Sequence, residues 1–408
     1  MMPWVASLIL LLTFGLKTVH SYGVVMTSSQ IAVGVGQSDF SLAVMRLTDG
    51  SSTVTAPPSP ISAFDDIALD PSDETKIFVL STKEPSICSY RLNETTLLLT
   101  LVNCIFSGSF SVSPYCGISA YNGTLIISGG TGGVSVFPYD TTDGTIASLS
   151  QINDQMFPGT VVGFPDVLLI NKTIAAFSTD FNGSPRFGTM IGNIGDTSVK
   201  ALRDFRVDNS LQFTLALGPA NFPLVNCWYP LHATNTNTNT NTTMNMTSTF
   251  TSDQQGYLYT ANGAVTVQNP WVTGSSIQLF TDLQAVACTV NTERRLLMVG
   301  TPNSILIYSL EQNPLAPILA DTVSVNVRLT SVASSGDYIV YVGVNGGSIL
   351  SHTIGTLTIH KSPPGSSGSS GKGGSGSIRW LGLTAPTTTT ITTLFLWLLL
   401  AQVQDEWL

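Results

Sequence analysis

Short apolar runs, each broken by a turn of Gly, Ser, Thr or Asn and answered by a second apolar run, recur through the middle of this chain. Seven such pairs stand at 30–34 with 42–45, 77–82 with 87–90, 124–129 with 134–137, 173–178 with 187–190, 256–260 with 265–267, 296–301 with 305–308 and 338–343 with 349–351. Each run is too short for a helix and rich in Val, Ile and aromatic residues, so each pair predicts a β-hairpin. Several hairpins follow another strand-like segment with small residues, at 67–71, 116–120, 286–290 and 329–333. A third strand before the hairpin makes the unit a small sheet, and the small residues suit a crowded centre.

Successive units lie about 40 to 50 residues apart, the spacing of propeller blades, except for one gap near 80. No such sheet can cover both its faces alone, so the units must stack on one another and close. The pattern therefore predicts an all-β fold, a seven-bladed β-propeller of four-stranded blades. A β-sandwich, or a pair of them, and a β-helix are the alternatives. The wide gap contains an Asn/Thr run at 234–249 that offers nothing for a core and is expected to be a flexible, glycosylated loop.

The ends differ from the middle. An apolar run at 4–16, followed by Val19-His20-Ser21, reads as a signal peptide over residues 1–21, with an uncleaved anchor helix as the alternative. The propeller is expected over 22–361 and a Gly/Ser/Thr-rich linker over 362–393. A hydrophobic tail at 394–408 ends the chain. Small residues at Ser375, Gly376 and Ser377, a spacer and the apolar tail fit a GPI-attachment signal, although Gln404-Asp405-Glu406 interrupts the tail. A single-pass helix and an unanchored chain remain alternatives. The expected location is the outer face of the plasma membrane, or secretion.

Composition narrows the function. Hydrophobic residues are 43% and charged residues 10% of the chain, which argues against disorder and against a charged helical protein. The formal charge of -9 leaves no basic stripe for phosphates, so neither nucleic acid nor anionic lipid is an expected partner. Asn-x-Ser/Thr sequons at Asn93, Asn122, Asn171, Asn182, Asn241 and Asn245 agree with export. The cysteines are Cys88, Cys104, Cys116, Cys227 and Cys288, an odd number in an oxidising compartment. A Cys88 to Cys104 bridge across one hairpin is the preferred pairing, with two buried thiols as the alternative. No Cys-x-x-Cys or Cys-x-x-His pair is present to seed a tetrahedral metal site.

Candidate chemistry is sparse. Beyond the leader the histidines are His232 beside the Asn/Thr run and His360 at the linker, both expected to be solvated, and His352, which follows the last hairpin and could face a channel. There is no Gly-x-Ser-x-Gly elbow and no His-Glu-x-x-His pair. Gly129-Gly130-Thr131-Gly132-Gly133 lacks the Lys-Ser/Thr of a phosphate loop and reads as a hairpin turn. The acidic cluster Asp65, Asp66, Asp70, Asp73 and Glu74 could hold a divalent cation, or could cap backbone amides as an ordinary Asp-Pro-Ser-Asp turn. No cofactor is expected.

Two stretches resemble the sema domain, the seven-bladed propeller of semaphorins and plexins. The first is Phe64-Asp65-Asp66-Ile67-Ala68-Leu69-Asp70 through Ile77-Phe78-Val79-Leu80 to Tyr90-Arg91-Leu92-Asn93. The second, Leu329-Thr330-Ser331-Val332-Ala333 through Tyr341-Val342-Gly343-Val344-Asn345-Gly346-Gly347-Ser348-Ile349-Leu350, is similar to that family's closing blade. The resemblance spans Tyr22 to about Lys361 and implies cell-surface recognition of another extracellular protein, with semaphorin/plexin-type signalling. The chain departs from the family in its shortness, its few cysteines and its Gly/Ser linker in place of a cysteine-rich module. A propeller hydrolase or lactonase, with substrate at the channel mouth, is the alternative function.

Overall fold

The computed structural model describes residues 23–35, 41–106, 117–128, 134–147, 150–152, 161–181, 187–194, 199–204, 225–230, 256–269, 277–343 and 349–355. Among these residues the strands form seven antiparallel sheets, each drawn from one continuous stretch of chain. The first holds β1 (Val24–Met26), β2 (Ile31–Val35), β3 (Leu42–Arg46) and β4 (Ser52–Thr55). The second holds β5 (Asp66–Leu69), β6 (Lys76–Ser81), β7 (Ser86–Asn93) and β8 (Leu98–Phe106), and the third β9 (Ile118–Tyr121), β10 (Thr124–Ser128), β11 (Val134–Pro138) and β12 (Ser150–Ile152). The fourth holds β13 (Val161–Asn171), β14 (Ile174–Phe181), β15 (Phe187–Ile194) and β16 (Val199–Asp204). The fifth has β17 (Val225–Pro230), β18 (Gly256–Gln268) and β19 (Ile277–Ala285). The sixth has β20 (Ala287–Asn291), β21 (Leu296–Gly300), β22 (Ser304–Ser309) and β23 (Ile318–Ser324), and the last β24 (Leu329–Ser335), β25 (Tyr338–Gly343) and β26 (Leu350–Thr353).

The first strand of each sheet touches the first strand of the next: β1 meets β5, then β9, β13, β17, β20 and β24 follow, and β24 returns to β1. That circuit makes the chain an all-β propeller. Two expectations need correction. The expected four strands per unit hold in five sheets, but the fifth and the last have three among the described residues. The turn expected at 261–264 falls inside β18, whose Gly256–Ala261 part pairs with β17 and whose Gly263–Val267 part pairs with β19; Gly263 itself has a φ of 63°.

The second strand of each sheet explains why the sequence reads as continuous apolar runs rather than alternation. All six residues of β6 are buried, and they serve two different layers. Ile77 and Val79 pack with Ile31, Val33, Leu42 and Val44 of the first sheet, while Phe78 and Leu80 pack with Leu125, Ile127 and Phe137 of the third. Successive residues point to opposite faces, so a strand between two neighbours must be apolar on both. Each fully buried Val, Leu, Ile or Phe contributes roughly 1.5 to 3 kcal/mol of transfer free energy.

Candidate functional site: acidic side chains of the inner strands and apolar residues of the outer strands

At the inner strands, polar side chains of one sheet bind backbone amides of the next. Asp66 Oδ2 accepts a 3.2 Å hydrogen bond from Ile118 N–H, carrying the second sheet onto the third. Ser119 Oγ accepts from Leu169 N–H at 2.9 Å, and Ser331 Oγ from Val24 N–H at 3.3 Å. Asp166, in β13, accepts from the amides of Val167 and Asn226, and so joins the fourth sheet to the fifth. A backbone without side chains makes room for two of these carboxylates. A Cβ on Gly23 would stand 2.6 Å from Asp66 Oδ1, and one on Gly117 would collide with Asp166 Oδ1.

Asp66 also senses the charge of Asp166. Burial, followed by the charge of Asp166 and then of Asp65, pushes the Asp66 carboxyl well above the usual range, against the pull of amide bonds from Ile67 and Ile118. Burial pushes Asp166 up to about 7, although the Val167 and Asn226 amides favour its ionised form. Sequence reading passed over Asp166; its signal was a lone charge, after Pro165, inside the apolar run of β13.

The acidic residues singled out from the sequence are each engaged. Asp65 Oδ2 accepts from Thr82 N–H and Thr82 Oγ1–H, both at 2.6 Å. Asp70 is fully buried; its Oδ1 accepts from Ser72 N–H, Ser72 Oγ–H and Asn122 N–H, and its Oδ2 from the Tyr139 hydroxyl. Asp73 accepts from Thr75 and from Lys76 Nζ at 2.5 Å, with Arg91 at 3.4 Å. Burial would raise Asp73, but the bonds from Lys76 and Thr75 outweigh it and hold the carboxyl at about 2. Among the described residues no group of three or more His, Cys, Asp or Glu is gathered to hold a metal ion. The sole described histidine, His352, lies on β26, the strand of its sheet farthest from the inner strand β24 among the described residues.

Cys88 and Cys104 form the expected bridge, directly opposite each other on β7 and β8. A second bridge, Cys227–Cys288, was not read from the sequence; it ties β17 to β20 and thus the fifth sheet to the sixth. Asn93 and Asn122 are exposed. Asn171 is only 9% exposed, and its Oδ1 already accepts from Thr173 and Ile174. Asn182, Asn241, Asn245, Cys116, Ser375, Gly376 and Ser377 lie outside the described residues, as do the leader, the Gly129–Gly133 run, His232, His360, the linker and the tail.

Among the described residues the exposed large aliphatic and aromatic side chains share one location. Val54 on β4, Leu98, Leu101 and Phe106 on β8, Ile277 on β19, and Ile318 and Leu319 on β23 all sit on the outermost strands of their sheets. Neither β4 nor β8 contains a charged residue.

No protein-family model matches the chain, the sema family included, and no curated protein sequence matches it. Solved structures do. It is similar to Kuenenia stuttgartiensis hydrazine synthase at 12% identity and a TM-score of 0.55, covering 84% of this chain and 98% of that one. It is similar to the RRP9 WD40 repeats at 9% identity and a TM-score of 0.52, over 80% of this chain and 90% of that one. A chain of the mitotic checkpoint complex gives 9% identity and a TM-score of 0.51, over 82% and 90%. Likeness at such low identity establishes a WD40-like propeller fold and nothing finer.

Proposed function

We propose that each of the seven sheets is one blade of an exported propeller that binds another protein through its rim. The observation that carries this reading is the confinement of the exposed Leu, Ile, Val and Phe side chains to outermost strands. Sheet edges are commonly protected by charge, and β4 and β8 carry none. An uncharged, apolar edge suits contact with another polypeptide better than contact with water. The two disulfides support passage through an oxidising compartment. In this reading Asn93 and Asn122 carry glycans, and the C-terminal tail directs attachment to the outer membrane face at Ser375, Gly376 or Ser377.

The test is binding of purified residues 22–361 to receptor-bearing cells, compared with the Leu101→Asp/Phe106→Asp variant. Loss of at least tenfold in affinity with an unchanged melting curve is expected. Equal binding by both proteins removes the rim from the interface. Release of the full chain from cells by a phosphatidylinositol-specific phospholipase tests the anchor.

A second reading, hydrolysis at the channel, takes its support from the charge of Asp166 felt by Asp66 on a neighbouring inner strand. A panel of lactones and esters, assayed with and without calcium against the native protein and Asp166→Asn, tests it. Absence of turnover dismisses it.

A further inference from the structure

Three tyrosines of the fifth sheet stand on one side of it. Tyr229 of β17 lies directly opposite Tyr257 of β18, and Cys227 directly opposite Tyr259. Side chains alternate along a strand, so Cys227, Tyr229, Tyr257 and Tyr259 share one face. That face packs on the sixth sheet, to which the Cys227–Cys288 bridge fastens it. Opposite partners in such a pair hold their Cβ atoms roughly 5 Å apart, so Tyr229 and Tyr257 lie side by side. The turn from β20 to β21 carries Arg295, whose guanidinium acts on the Tyr229 hydroxyl. Tyr259 reaches the loop between β22 and β23, where its hydroxyl donates a 2.7 Å hydrogen bond to Pro314 O.

The Tyr259 hydroxyl is thus engaged, whereas its two neighbours hold unused donors. Among the described residues neither the Tyr229 nor the Tyr257 hydroxyl has a hydrogen-bond partner, and neither is sealed from solvent as that of Tyr90 is. Burial raises the Tyr229 hydroxyl, against the pull of Arg295, and burial followed by Tyr229 raises Tyr257. Both phenols therefore keep their protons at neutral pH. Arg294 pairs with Asp337, but the exposed Arg295 has no ion pair among the described residues. Its backbone φ is 52°, a conformation uncommon for any residue with a long side chain.

We propose that Tyr229, Tyr257 and Arg295 form a binding site for a carboxylate at the junction between the fifth and sixth sheets. Two phenolic O–H groups and a guanidinium fork are all donors, and together they meet both oxygens of one carboxylate. A single guanidinium, in a chain of formal charge -9, matches a singly charged carboxylate better than a phosphate dianion. The site uses none of the outermost-strand residues and does not rest on the rim reading.

Saturation-transfer NMR on the purified chain with both disulfides intact tests this. The probes are the α-amide of N-acetylglutamate, standing for a peptide-borne side chain, and acetate, standing for a free acid. At least one is expected to give saturable transfer, the tighter naming the source, while N-acetylglutamine amide gives none. Arg295→Gln and Tyr257→Phe are each expected to weaken binding at least about tenfold with an unchanged melting curve. Arg328→Gln, at an exposed arginine before β24, is expected to leave it as it was. Transfer that never saturates with either acid overturns the proposal. So does native-like binding by Arg295→Gln or Tyr257→Phe, an equal loss in Arg328→Gln, or tighter binding of inorganic phosphate than of both acids.

Discussion

The Tyr139 hydroxyl donates a 2.5 Å hydrogen bond to Asp70 Oδ2, joining the third sheet to the second through two buried side chains. Asp70 follows β5 and Tyr139 follows β11, so the bond fastens the turn of one sheet to the end of the third strand of its neighbour. Burial alone would raise the Asp70 carboxyl, but bonds from Tyr139, Ser72 and Asn122 overcome it and hold the group below its ordinary value.

Removing either partner has different consequences. Tyr139→Phe deletes one charge-assisted bond and is expected to lower stability by about 2 kcal/mol. Asp70→Ala strands four donors at once and is expected to cost about 3 to 5 kcal/mol. Urea melts of the single and double variants check this: the double variant should cost clearly less than the sum. Full additivity would mean that the bond contributes nothing.

The carboxyls at the inner strands give stability two opposite dependences on pH. Asp70 is lowered in the folded state, so its contribution is present above its unfolded value of 3.8 and is lost as pH falls through the folded value. Asp166 is raised to about 7, so the folded state holds a proton that the unfolded chain gives up near 3.8. Its contribution is complete below about 4 and disappears as pH rises toward 7, each unit being worth about 1.4 kcal/mol at most. Asp166→Asn is therefore expected to raise the melting temperature at pH 8 relative to the native chain and to gain nothing at pH 4.5. Thermal melts across that range decide it, and a variant equally shifted at both pH values refutes the assignment.

Which parts of this architecture were legible follows from what the sequence spells locally. The strands of β6, β10, β21 and β25 were visible because a strand buried on both faces must be a continuous apolar run. Cys88–Cys104 was visible because a hairpin fixes who stands opposite whom. Cys227–Cys288 was not, because its partners meet only through the stacking of one sheet on another, 61 residues apart. For the same reason Asp66 could be seen as acidic, but the charge of Asp166 near it and its bond to Ile118 could not. Asn262-Gly263 carries a strong hairpin signal, yet β18 continues through it, because its two halves pair with different strands.

Tyr90 provides the contrast to Tyr139. It is 1% exposed among the aliphatic residues between the first two sheets, edge-on to Phe64 at 6.3 Å, and its hydroxyl has no hydrogen-bond partner among the described residues. Burial pushes it up to about 12. An unpaired buried hydroxyl costs free energy that a phenyl ring avoids, so Tyr90→Phe is expected to raise stability by about 1 kcal/mol. Chemical denaturation of the two tyrosine variants side by side gives opposite signs if the hydrogen-bond assignments are right. A loss on Tyr90→Phe would show that the hydroxyl is partnered.

The two disulfides should differ in what their removal costs. Cys88–Cys104 closes a loop of 16 residues within one sheet, whereas Cys227–Cys288 closes 61 residues and crosses between two. Restriction of the unfolded chain grows with loop length, giving about 3 kcal/mol for the shorter and about 4 kcal/mol for the longer. The difference is small, but the location adds to it. With Cys88 and Cys104 replaced by serine, β7 and β8 remain paired along their whole length. Replacing Cys227 and Cys288 removes the only covalent cross-link described between sheets, and leaves the fifth and sixth held by the packing of Tyr229, Tyr259, Leu297 and Val299. The Cys227→Ser/Cys288→Ser protein is therefore expected to melt at lower temperature than the Cys88→Ser/Cys104→Ser protein, and to show the larger rise in exchange in β17 and β20. Scanning calorimetry with hydrogen exchange compares them directly, and the reverse order would mean that the hairpin bridge is the one constraining the ring.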